Sequence, residues 1–269
     1  MMFTQYFGLK FNPFVKEIEN TALFESKDTL ELSSRLDFIK HTRGLFLLTS
    51  EPGCGKTAIL RRFADSLNPG LFRVCYTALS SVTVMDFYRG LILSMGEEPL
   101  YRKVTMFEQL QRLIRTSFHE KRVTPLFILD EAQCLSSSVL EDIQIIFNFK
   151  MDSENPFILI FAGHSSIRAR LHLSIHQSLR HRITGNYHMN GLATKDEVSQ
   201  YLVSRLAVAG AVDQNLFSQV ACESIFSLTG GLPRLVNNLA VAALTCAYGK
   251  NQSLVDDEIV YQAARDIEI

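Results

Sequence analysis

Residues 50–57, Ser-Glu-Pro-Gly-Cys-Gly-Lys-Thr, have the types and the spacing of a loop that binds phosphate groups. They follow the apolar run Leu45–Thr49 and precede a stretch with helical spacing, so amide groups at the start of a helix would point at an anion. Gly53 and Gly55 would let the backbone wrap closely around that anion. Ser50 stands where the pattern G-x-x-x-x-G-K-[ST] has its first glycine, and we expect this larger residue to strain the first turn.

Two side chains of this loop carry the chemistry. Lys56 would neutralise the β- and γ-phosphates of a nucleotide, and the hydroxyl of Thr57 would coordinate Mg²⁺. Because chance matches to the pattern exist, its position between a strand and a helix is the feature that favours nucleotide binding. The loop residues that we expect to contact the nucleotide are Glu51, Pro52, Gly53, Cys54, Gly55, Lys56, Thr57 and Ala58.

A second apolar run, Pro125–Leu129, is followed by two acidic residues. Asp130 is placed to hold the Mg²⁺ shell, and Glu131 to polarise a water molecule that attacks the terminal phosphate. Paired acids also cap helices, and taken alone that structural role would be the better interpretation. Their position at a strand end, about 75 residues after the phosphate-binding loop, favours catalysis, so the pair predicts hydrolysis as well as binding.

Alternating apolar runs and amphipathic stretches between residues 44 and 164 supply the elements that would position these groups. The runs that are apolar on both faces, which predict buried strands, are Leu45–Thr49, Leu71–Thr77, Pro125–Leu129 and Phe157–Ala162. The stretches with helical spacing are Lys56–Leu67, Thr83–Met95, Thr105–Lys121 and Ser136–Met151. Continuous apolarity suits a parallel sheet covered by helices on each side, so the sequence predicts a doubly wound α/β layer.

The strand signal stops after about Gly191. Thr194 and Glu197 have the spacing of a capping box at the start of a helix. The helices predicted in this part are Thr194–Val208, Gln214–Leu228, Pro233–Tyr248 and Asp256–Asp266. We therefore expect an α/β nucleotide-binding core with an N-terminal arm at residues 1–190, and a small helical lid domain at residues 191–269.

The composition is that of an ordinary globular protein. The 269 residues are 47% hydrophobic and 20% charged, with 27 basic against 28 acidic side chains. No apolar run reaches the roughly 20 residues that span a bilayer, and residues 1–11 lack the pattern of a signal peptide. The five cysteines are scattered, which argues against a disulfide framework or a zinc site of clustered pairs. These features predict a cytoplasmic protein without a membrane partner.

With these motifs, the chain resembles the AAA+ ATPases, and specifically the ExeA-like group of general secretion pathway protein A ATPase domains and their transposon-encoded relatives. The similar segments beyond the phosphate-binding loop are Tyr6–Phe14, Asp130–Gln133, Ala162–His164, Leu179–Ile183, Gly230–Arg234 and Asn237–Leu239. The first segment and the Gly-Gly-Leu-Pro-Arg segment are more specific to the group than the generic ATPase motifs. The resemblance implies a P-loop AAA+ core with a parallel sheet flanked by helices, a small all-α lid domain, and ATP with Mg²⁺ as ligands.

The resemblance also implies roles for single residues. Asn12, Pro13 and Phe14 would lie near the adenine ring, although Phe14 alone fits equally well in an arm that packs on the core. His164 ends the fourth predicted strand, where AAA+ proteins carry a polar sensor of the γ-phosphate. The family often has glutamine there, so His164 departs from the pattern.

Three arginines match positions that have roles in the family. Arg180 and Arg182 fall where AAA+ proteins carry arginine fingers, which reach the nucleotide of the neighbouring subunit and raise its hydrolysis by roughly 10³- to 10⁵-fold. We favour Arg182 as the finger, and the alternative is that both are exposed arginines on a helix. Arg234, directly after Pro233 at a predicted helix start, matches the second sensor, which couples the lid to the phosphate.

The charge is unevenly distributed along the chain. Residues 155–195, the basic window, contain five basic residues and no acidic one, so they carry +5 while the remainder of the chain carries −6. The window would contact the phosphates of duplex DNA, or form a subunit interface and pair with acids across it. Arg112 and Arg115 share a helix face of the kind that lines a DNA pore in some AAA+ proteins, although solvated helix faces are commoner.

The leading functional hypothesis is an ATP-dependent switch that assembles into a ring or filament on duplex DNA and helps transposition. In that hypothesis the chain resembles the Mu transposition B protein and the TnsC/TniB-like ATPases, and its ATP-bound form recruits or activates a transposase or targeting protein. A secretion-assembly ATPase of the ExeA type is one alternative, although such relatives continue into a membrane segment and a wall-binding domain. A nucleotide-gated scaffold with little hydrolysis is another, and Glu131 argues against it.

Overall fold

The computed structural model of the chain describes residues 3–15, 23–78 and 83–269. These residues form two compact units. The α/β unit comprises Glu31–Pro52 and Lys56–Met189, and the helical unit comprises the residues up to Leu30, Gly53–Gly55 and Asn190–Ile269. Each unit has a hydrophobic core of its own. The N-terminal arm thus groups with the helical residues, and the domain division at residue 190 stays a prediction.

A parallel sheet of five strands forms the centre of the α/β unit. Its strands are β1 (Gly44–Ser50), β2 (Phe72–Ala78), β3 (Thr124–Asp130), β4 (Ile158–Gly163) and β5 (Ile183–Met189). Their order across the sheet is β2-β3-β4-β1-β5. Strands β1 and β4 are buried along their whole length, as expected for a parallel sheet that is covered on both faces. The predicted α/β fold with a parallel sheet flanked by helices is confirmed.

Helices surround this sheet and form the second unit. The α-helices of the described residues are, in chain order, α1 (Phe3–Tyr6), α2 (Lys27–Thr42), α3 (Lys56–Ser66), α4 (Val84–Ser94), α5 (Lys103–Arg115), α6 (Ser137–Ile146), α7 (Ser166–Leu171), α8 (Gln177–His181), α9 (Lys195–Val208), α10 (Gln219–Thr229), α11 (Pro233–Gly249) and α12 (Asp257–Asp266). Helices α4, α5 and α6 contribute Phe87, Leu110 and Ile143 to the core of the α/β unit, where all three are completely buried.

The four predicted strands agree with β1 to β4 to within one residue at each end. The sequence pattern does not predict β5, because this strand lies at the edge of the sheet and is only partly buried. Its residues Thr184 and Asn186 are exposed, so the run is not continuously apolar. Gly185 lies against β1 so closely that a side chain would come within 2.9 Å of the Phe46 ring.

Helix α6 is shorter than predicted and ends at Ile146 instead of Met151. The following Phe147 and Phe149 turn into the core, where each is at most 2% exposed. The chain then passes through the left-handed region of backbone conformation at residues 150–152, which ends any continuation of the helix.

Helices α9 to α12 and the N-terminal arm make up the helical unit. The arm contributes three side chains to the core of the helical unit, namely Phe7, Leu9 and Phe14. Thr194 caps α9 as predicted, since its hydroxyl accepts a hydrogen bond from the Glu197 amide at 3.2 Å. The Glu197 carboxylate returns to the amide of Ala193 at 2.8 Å, one residue earlier than a capping box requires.

Helix α10 begins at Gln219, five residues later than predicted. Phe217 upstream forms a β-bridge with Val255. The Ser218 hydroxyl then accepts a hydrogen bond from the Ala221 amide at 3.1 Å, so the helix starts directly after this capping residue.

Candidate functional site

The carboxyl ends of three neighbouring strands, β3, β4 and β1, lie side by side at one edge of the parallel sheet. Asp130 ends β3, Gly163 ends β4 and Ser50 ends β1. Because ligands of open α/β sheets bind beyond the carboxyl ends of the strands, this edge is the candidate site. It brings together the start of the phosphate-binding loop, the acidic pair and His164.

The phosphate-binding loop has the backbone that its glycines allow. Gly53 and Gly55 have φ angles of 93° and 97°, in the left-handed region that favours glycine. Lys56 begins α3, and its Nζ donates a hydrogen bond to the Ser50 hydroxyl at 2.7 Å. The strain expected at Ser50 is absent, because Ser50 is the last residue of β1 and its φ is not positive. Serine is accommodated there since it ends a strand instead of turning the loop.

A hydroxyl and a carboxylate lie together where a divalent cation is predicted. The Thr57 hydroxyl donates to Asp130 Oδ2 at 3.0 Å, and Asp130 is 3% exposed. The other oxygen of Asp130, Oδ1, accepts the amide of Glu131 at 2.9 Å. Mg²⁺ prefers hard oxygen ligands and combines one or two protein ligands with phosphate oxygens and water. Thr57 and Asp130 therefore fit the predicted ion, while no three His, Cys, Asp or Glu residues group around a metal position in the described ranges.

Tyr76 on β2 also contacts the acidic pair, although no local sequence pattern points to it. Its hydroxyl donates a hydrogen bond to Asp130 Oδ2 at 3.0 Å. Partial burial of the phenol, followed by the negative charge of Asp130, raises the pKa of Tyr76 to about 12. The phenol therefore remains protonated at neutral pH and continues to donate to Asp130. Only the adjacency of β2 and β3, which is not evident from local sequence, brings the two residues together.

Glu131 follows in a left-handed conformation, with a φ of 55° and a ψ of 38°. Such a conformation costs a residue with a side chain about 1–3 kcal/mol, and it persists where surrounding contacts hold it. Gln133 supplies one of these contacts, because its Nε2 donates to Glu131 Oε2 at 2.6 Å. Its Oε1 accepts the backbone amide of His164 at 2.9 Å. The structure thus links the predicted catalytic carboxylate to the end of β4.

His164 contacts the phosphate-binding loop through Glu51. The distance from His164 Nε2 to Glu51 Oε2 is 3.0 Å, and the Ser165 hydroxyl donates to Glu51 Oε1 at 2.8 Å. The hydrogen bonds from Ser165 and then His164 hold the pKa of Glu51 below its usual value. His164 therefore lies beside the loop, and its role as a γ-phosphate sensor stays a prediction.

Arg234 of the helical unit contacts one residue of the phosphate-binding loop. Its amide donates to the Gly53 carbonyl at 3.2 Å, and a Cβ on Gly53 would come within 2.8 Å of the Arg234 Cβ. Gly231 also lacks room for a side chain, because a Cβ would overlap the Leu192 carbonyl oxygen. The Gly-Gly-Leu-Pro-Arg segment thus combines a left-handed turn, a close backbone approach and a helix start at Pro233. The second-sensor role of Arg234 stays a prediction.

The arm residues Asn12, Pro13 and Phe14 also belong to the helical unit. Phe14 is 5% exposed, and its ring packs edge-on against Phe217 with 6.4 Å between the centroids. Asn12 Oδ1 accepts the Phe14 amide at 3.0 Å. This packing agrees with the alternative role of Phe14 as a core residue of the arm, and adenine contact by the three residues stays a prediction.

The two candidate arginine fingers have different surroundings. Arg182 donates to the Gln144 carbonyl at 2.7 Å and pairs with Asp152 at 3.0 Å, and its side chain is 17% exposed. Arg180 lies 2.9 Å from His172 Nδ1 and has no acidic partner among the residues that the structure describes. The two arginines therefore differ in their partners, and the choice of Arg182 over Arg180 as the finger stays a prediction.

A cleft of about 310 Å³ in the α/β unit includes Arg180. Its lining residues are Leu47, Arg168, Leu171, His172, Arg180, Ile183 and Asn186. The two guanidinium groups and one imidazole belong to the basic window, and none of the lining residues is acidic. Leucine and isoleucine side chains make up the remainder together with one amide. The cleft can therefore accept an anion, such as a phosphate group.

Comparison with known proteins agrees with this geometry. The family described as "AAA domain" matches residues 39–171, which include the phosphate-binding loop, the acidic pair and His164. General secretion pathway protein A of Aeromonas hydrophila is 29% identical over 270 residues, which cover 99% of this chain and 48% of that protein. The chain thus spans about half of the length of this curated relative. The chain is thus similar to the AAA domain family over residues 39–171 and to an ExeA-type protein over almost all of its own length.

Solved structures share the fold at low sequence identity. Cdc6p from Pyrobaculum aerophilum has a TM-score of 0.69 at 16% identity, covering 94% of this chain and 70% of that chain. The Aeropyrum pernix ORC1 protein in complex with DNA has a TM-score of 0.62 at 17% identity, and the match covers 95% of this chain and 69% of that chain. The architecture is therefore that of a P-loop AAA+ protein. In the described part of the chain, no helix has the length and apolarity that a membrane span needs.

Proposed function

We propose that the chain hydrolyses ATP in the presence of Mg²⁺ and works as a nucleotide-controlled switch. One observation carries the proposal: the Thr57 hydroxyl and the Asp130 carboxylate are 3.0 Å apart, and Glu131 directly follows at the same sheet edge. A pair of oxygen ligands beside a second carboxylate is the arrangement that transfer of a phosphoryl group to water requires.

Each residue of this edge has one task in the proposed reaction. Lys56 and the loop amides bind the phosphates, and Thr57 and Asp130 hold the ion, with Tyr76 keeping the Asp130 carboxylate oriented. Mg²⁺, when bound, neutralises charge on the phosphate oxygens. Glu131 accepts a proton from the attacking water as the bond to the γ-phosphorus forms and the bond to the leaving oxygen breaks.

A phosphate-release assay tests this proposal directly. Wild-type protein should release phosphate from ATP when Mg²⁺ is present, and this release should stop when EDTA removes the ion. Lys56→Ala should abolish nucleotide binding, because the variant lacks the cation that faces the phosphates. Lys121→Ala is the matched control, since Lys121 is an exposed lysine far along the chain from the loop. Phosphate release that EDTA leaves unchanged would contradict the assigned ion site.

Assembly is the second part of the proposal. Copies of the chain form a ring or filament in the ATP-bound state, and Arg180 of one copy completes the nucleotide site of the next. The lack of an acidic partner of Arg180 in the described residues supports this choice over Arg182, which pairs with Asp152. Because the finger acts across an interface, hydrolysis then depends on assembly.

Duplex DNA is the proposed track for this assembly. The basic window and its cleft with Arg168 and Arg180 support the choice, and one of the similar structures, ORC1 of Aeropyrum pernix, is described in complex with DNA. In its full form the proposal is a cytoplasmic transposition helper, whose ATP-bound form recruits or activates a transposase or targeting protein and whose hydrolysis resets it. A transposase gene next to this one would favour that role.

A gel-shift titration separates the DNA proposal from the ATPase proposal. With a slowly hydrolysed ATP analogue, wild-type protein should shift duplex DNA, and the affinity should fall steeply with salt because phosphate contacts release counterions. Arg168→Ala should weaken binding to all DNA sequences alike. It should also reduce by about 1 the magnitude of the slope of log affinity against log salt concentration. Arg89→Ala, on the surface of α4, is the control. Absence of any nucleotide-dependent shift at low salt rejects the DNA proposal and leaves the ATPase proposal standing.

A secretion-assembly ATPase is the second candidate, and the match to general secretion pathway protein A specifically favours it. In that case the same nucleotide cycle would drive a protein partner of the cell envelope instead of DNA. Envelope components encoded beside this gene, together with hydrolysis that duplex DNA does not stimulate, would favour this function over the first.

A further inference from the structure

We infer that Gln133 is a positioning residue for hydrolysis, which orients the Glu131 carboxylate and ties it to His164, the residue that holds Glu51 of the phosphate-binding loop. The inference rests on the proposed role of Glu131 in activating water. It goes further by assigning a task to a side chain that has no role in the proposed function.

Three hydrogen bonds fix Gln133 in one position. Its Nε2 donates to Glu131 Oε2 at 2.6 Å, and its Oε1 accepts the His164 amide at 2.9 Å. Its backbone carbonyl accepts a bond from Arg170 of α7 at 2.7 Å. Because both ends of the side-chain amide are occupied by different partners, the amide cannot rotate without breaking one bond.

The end of β4 leaves room for this amide. A Cβ built on Gly163 would lie 2.5 Å from Gln133 Oε1 and 3.2 Å from the Ala132 amide. The φ of Gly163 is not in the left-handed region, so the backbone does not require glycine there. Space for Gln133 is therefore the physical reason for glycine at this position.

These contacts form a continuous path across the site. Glu51 bonds to the His164 side chain, the His164 amide bonds to Gln133, and Gln133 bonds to Glu131. A shift of the phosphate-binding loop that moves His164 also moves the group that holds the catalytic carboxylate. Gln133 thus makes the orientation of Glu131 depend on the state of the loop.

A side-chain amide of this length serves both partners, since it offers a donor and an acceptor at once. In Gln133→Met both bonds are lost at similar side-chain volume. We expect kcat to fall about 10- to 100-fold, because a misplaced base loses part of its effect, while KM changes less than about 3-fold. Nucleotide affinity, measured with a fluorescent ATP analogue, should remain within about 3-fold of wild type.

Gln133→Glu separates positioning from a merely structural role. The introduced carboxylate keeps the side-chain length and can still accept the His164 amide, but it offers Glu131 no donor. We expect kcat to fall about 10-fold or more, while KM and the affinity for a fluorescent ATP analogue stay within about 3-fold of wild type. An unchanged kcat, or a KM that rises in proportion as kcat falls, overturns the inference.

Gly163→Ala tests the role of Gln133 while Gln133 itself stays unchanged. The new methyl group displaces the Gln133 amide, so kcat should fall as in Gln133→Met with little change in KM. Gly90→Ala on α4 is the matched control, because its Cβ meets only Thr77 Cγ2 at 3.8 Å. Full activity in both Gly163→Ala and Gln133→Met overturns the inference. Absence of hydrolysis in the wild type refutes the proposed function instead, so the two failures are distinguishable.

Discussion

In the proposed function, Glu131 is the residue that distinguishes a switch that hydrolyses ATP and resets from a clamp that only binds it. Replacement by glutamine keeps the shape and removes the base, so we expect phosphate release to fall about 10²- to 10⁴-fold while ATP still binds. Assemblies should persist longer with ATP, since the bound state is no longer consumed. Single-turnover phosphate release and light scattering measure the two effects.

Glu141→Gln is the control for that change, because Glu141 is an exposed glutamate on α6. Its substitution should leave phosphate release unaltered. If Glu131→Gln turned over ATP at the wild-type rate, Glu131 would not be the base, and the residue that activates water would have to be sought elsewhere.

Tyr76 gives a second prediction at the scale of a single residue. Its pKa is raised to about 12, so its protonated form is favoured by folding. Any stability from its contact with Asp130 is therefore complete below about pH 10, the ordinary tyrosine value, and is lost as the pH rises through about 12. The phenolate absorbance of the wild type minus that of Tyr76→Phe should show no ionisation step up to about pH 11. A step near pH 10 would contradict the contact.

At the scale of elements, start and stop signals predict most of the architecture. Thr194 and Pro233 mark the starts of α9 and α11, and apolar runs mark four strands. The omitted β5 shows why the rest escapes prediction. Its residues alternate between exposed and half-buried, and they become a strand only because β1 offers an unpaired edge, a fact that is encoded more than 130 residues upstream.

The candidate site, too, is predictable from the sequence only in part. Motif residues such as Lys56, Thr57 and Asp130 are recognisable because their order along the chain is itself the signal. Tyr76 carries no comparable local signal, since its partner Asp130 is on another strand. The contacts of Arg182 are a further example, because its bond to the Gln144 carbonyl depends on how α6 ends and is not evident from local sequence.

The cap of α9 supplies a prediction for an element. Thr194→Ala removes the hydroxyl that accepts the Glu197 amide, so the free energy of unfolding should decrease by about 1 kcal/mol. Ser204→Ala in the interior of the same helix should be neutral or slightly stabilising, because alanine is the better helix former. Urea denaturation of both variants makes the comparison, and equal effects would mean that the cap does not stabilise the helix.

At the scale of the whole molecule, the proposed finger predicts complementation between two inactive proteins. Arg180→Ala keeps the base Glu131 but cannot complete the nucleotide site of the neighbouring copy. Glu131→Gln keeps the finger Arg180 but lacks the base. Each alone should hydrolyse ATP at least about 10²-fold more slowly than wild type. Mixed assemblies contain some interfaces with both groups intact, so mixing should restore part of the activity.

Arg182→Ala is the comparison for that experiment. Because Arg182 is bonded to Gln144 and Asp152, its loss should lower thermal stability more than it lowers hydrolysis at a permissive temperature. If mixing Arg182→Ala, but not Arg180→Ala, with Glu131→Gln restored turnover, the assignment of the finger would return to Arg182.

The position of β1 in the sheet also has a consequence during synthesis on the ribosome. Its partners are β4 and β5, whose residues leave the ribosome more than 100 residues later. Until then the apolar segment Leu45–Leu48 has no strand to pair with, and the phosphate-binding loop has no framework behind it. The candidate site therefore takes its final form only after β4 and β5 have been synthesised, well after its own sequence has left the ribosome.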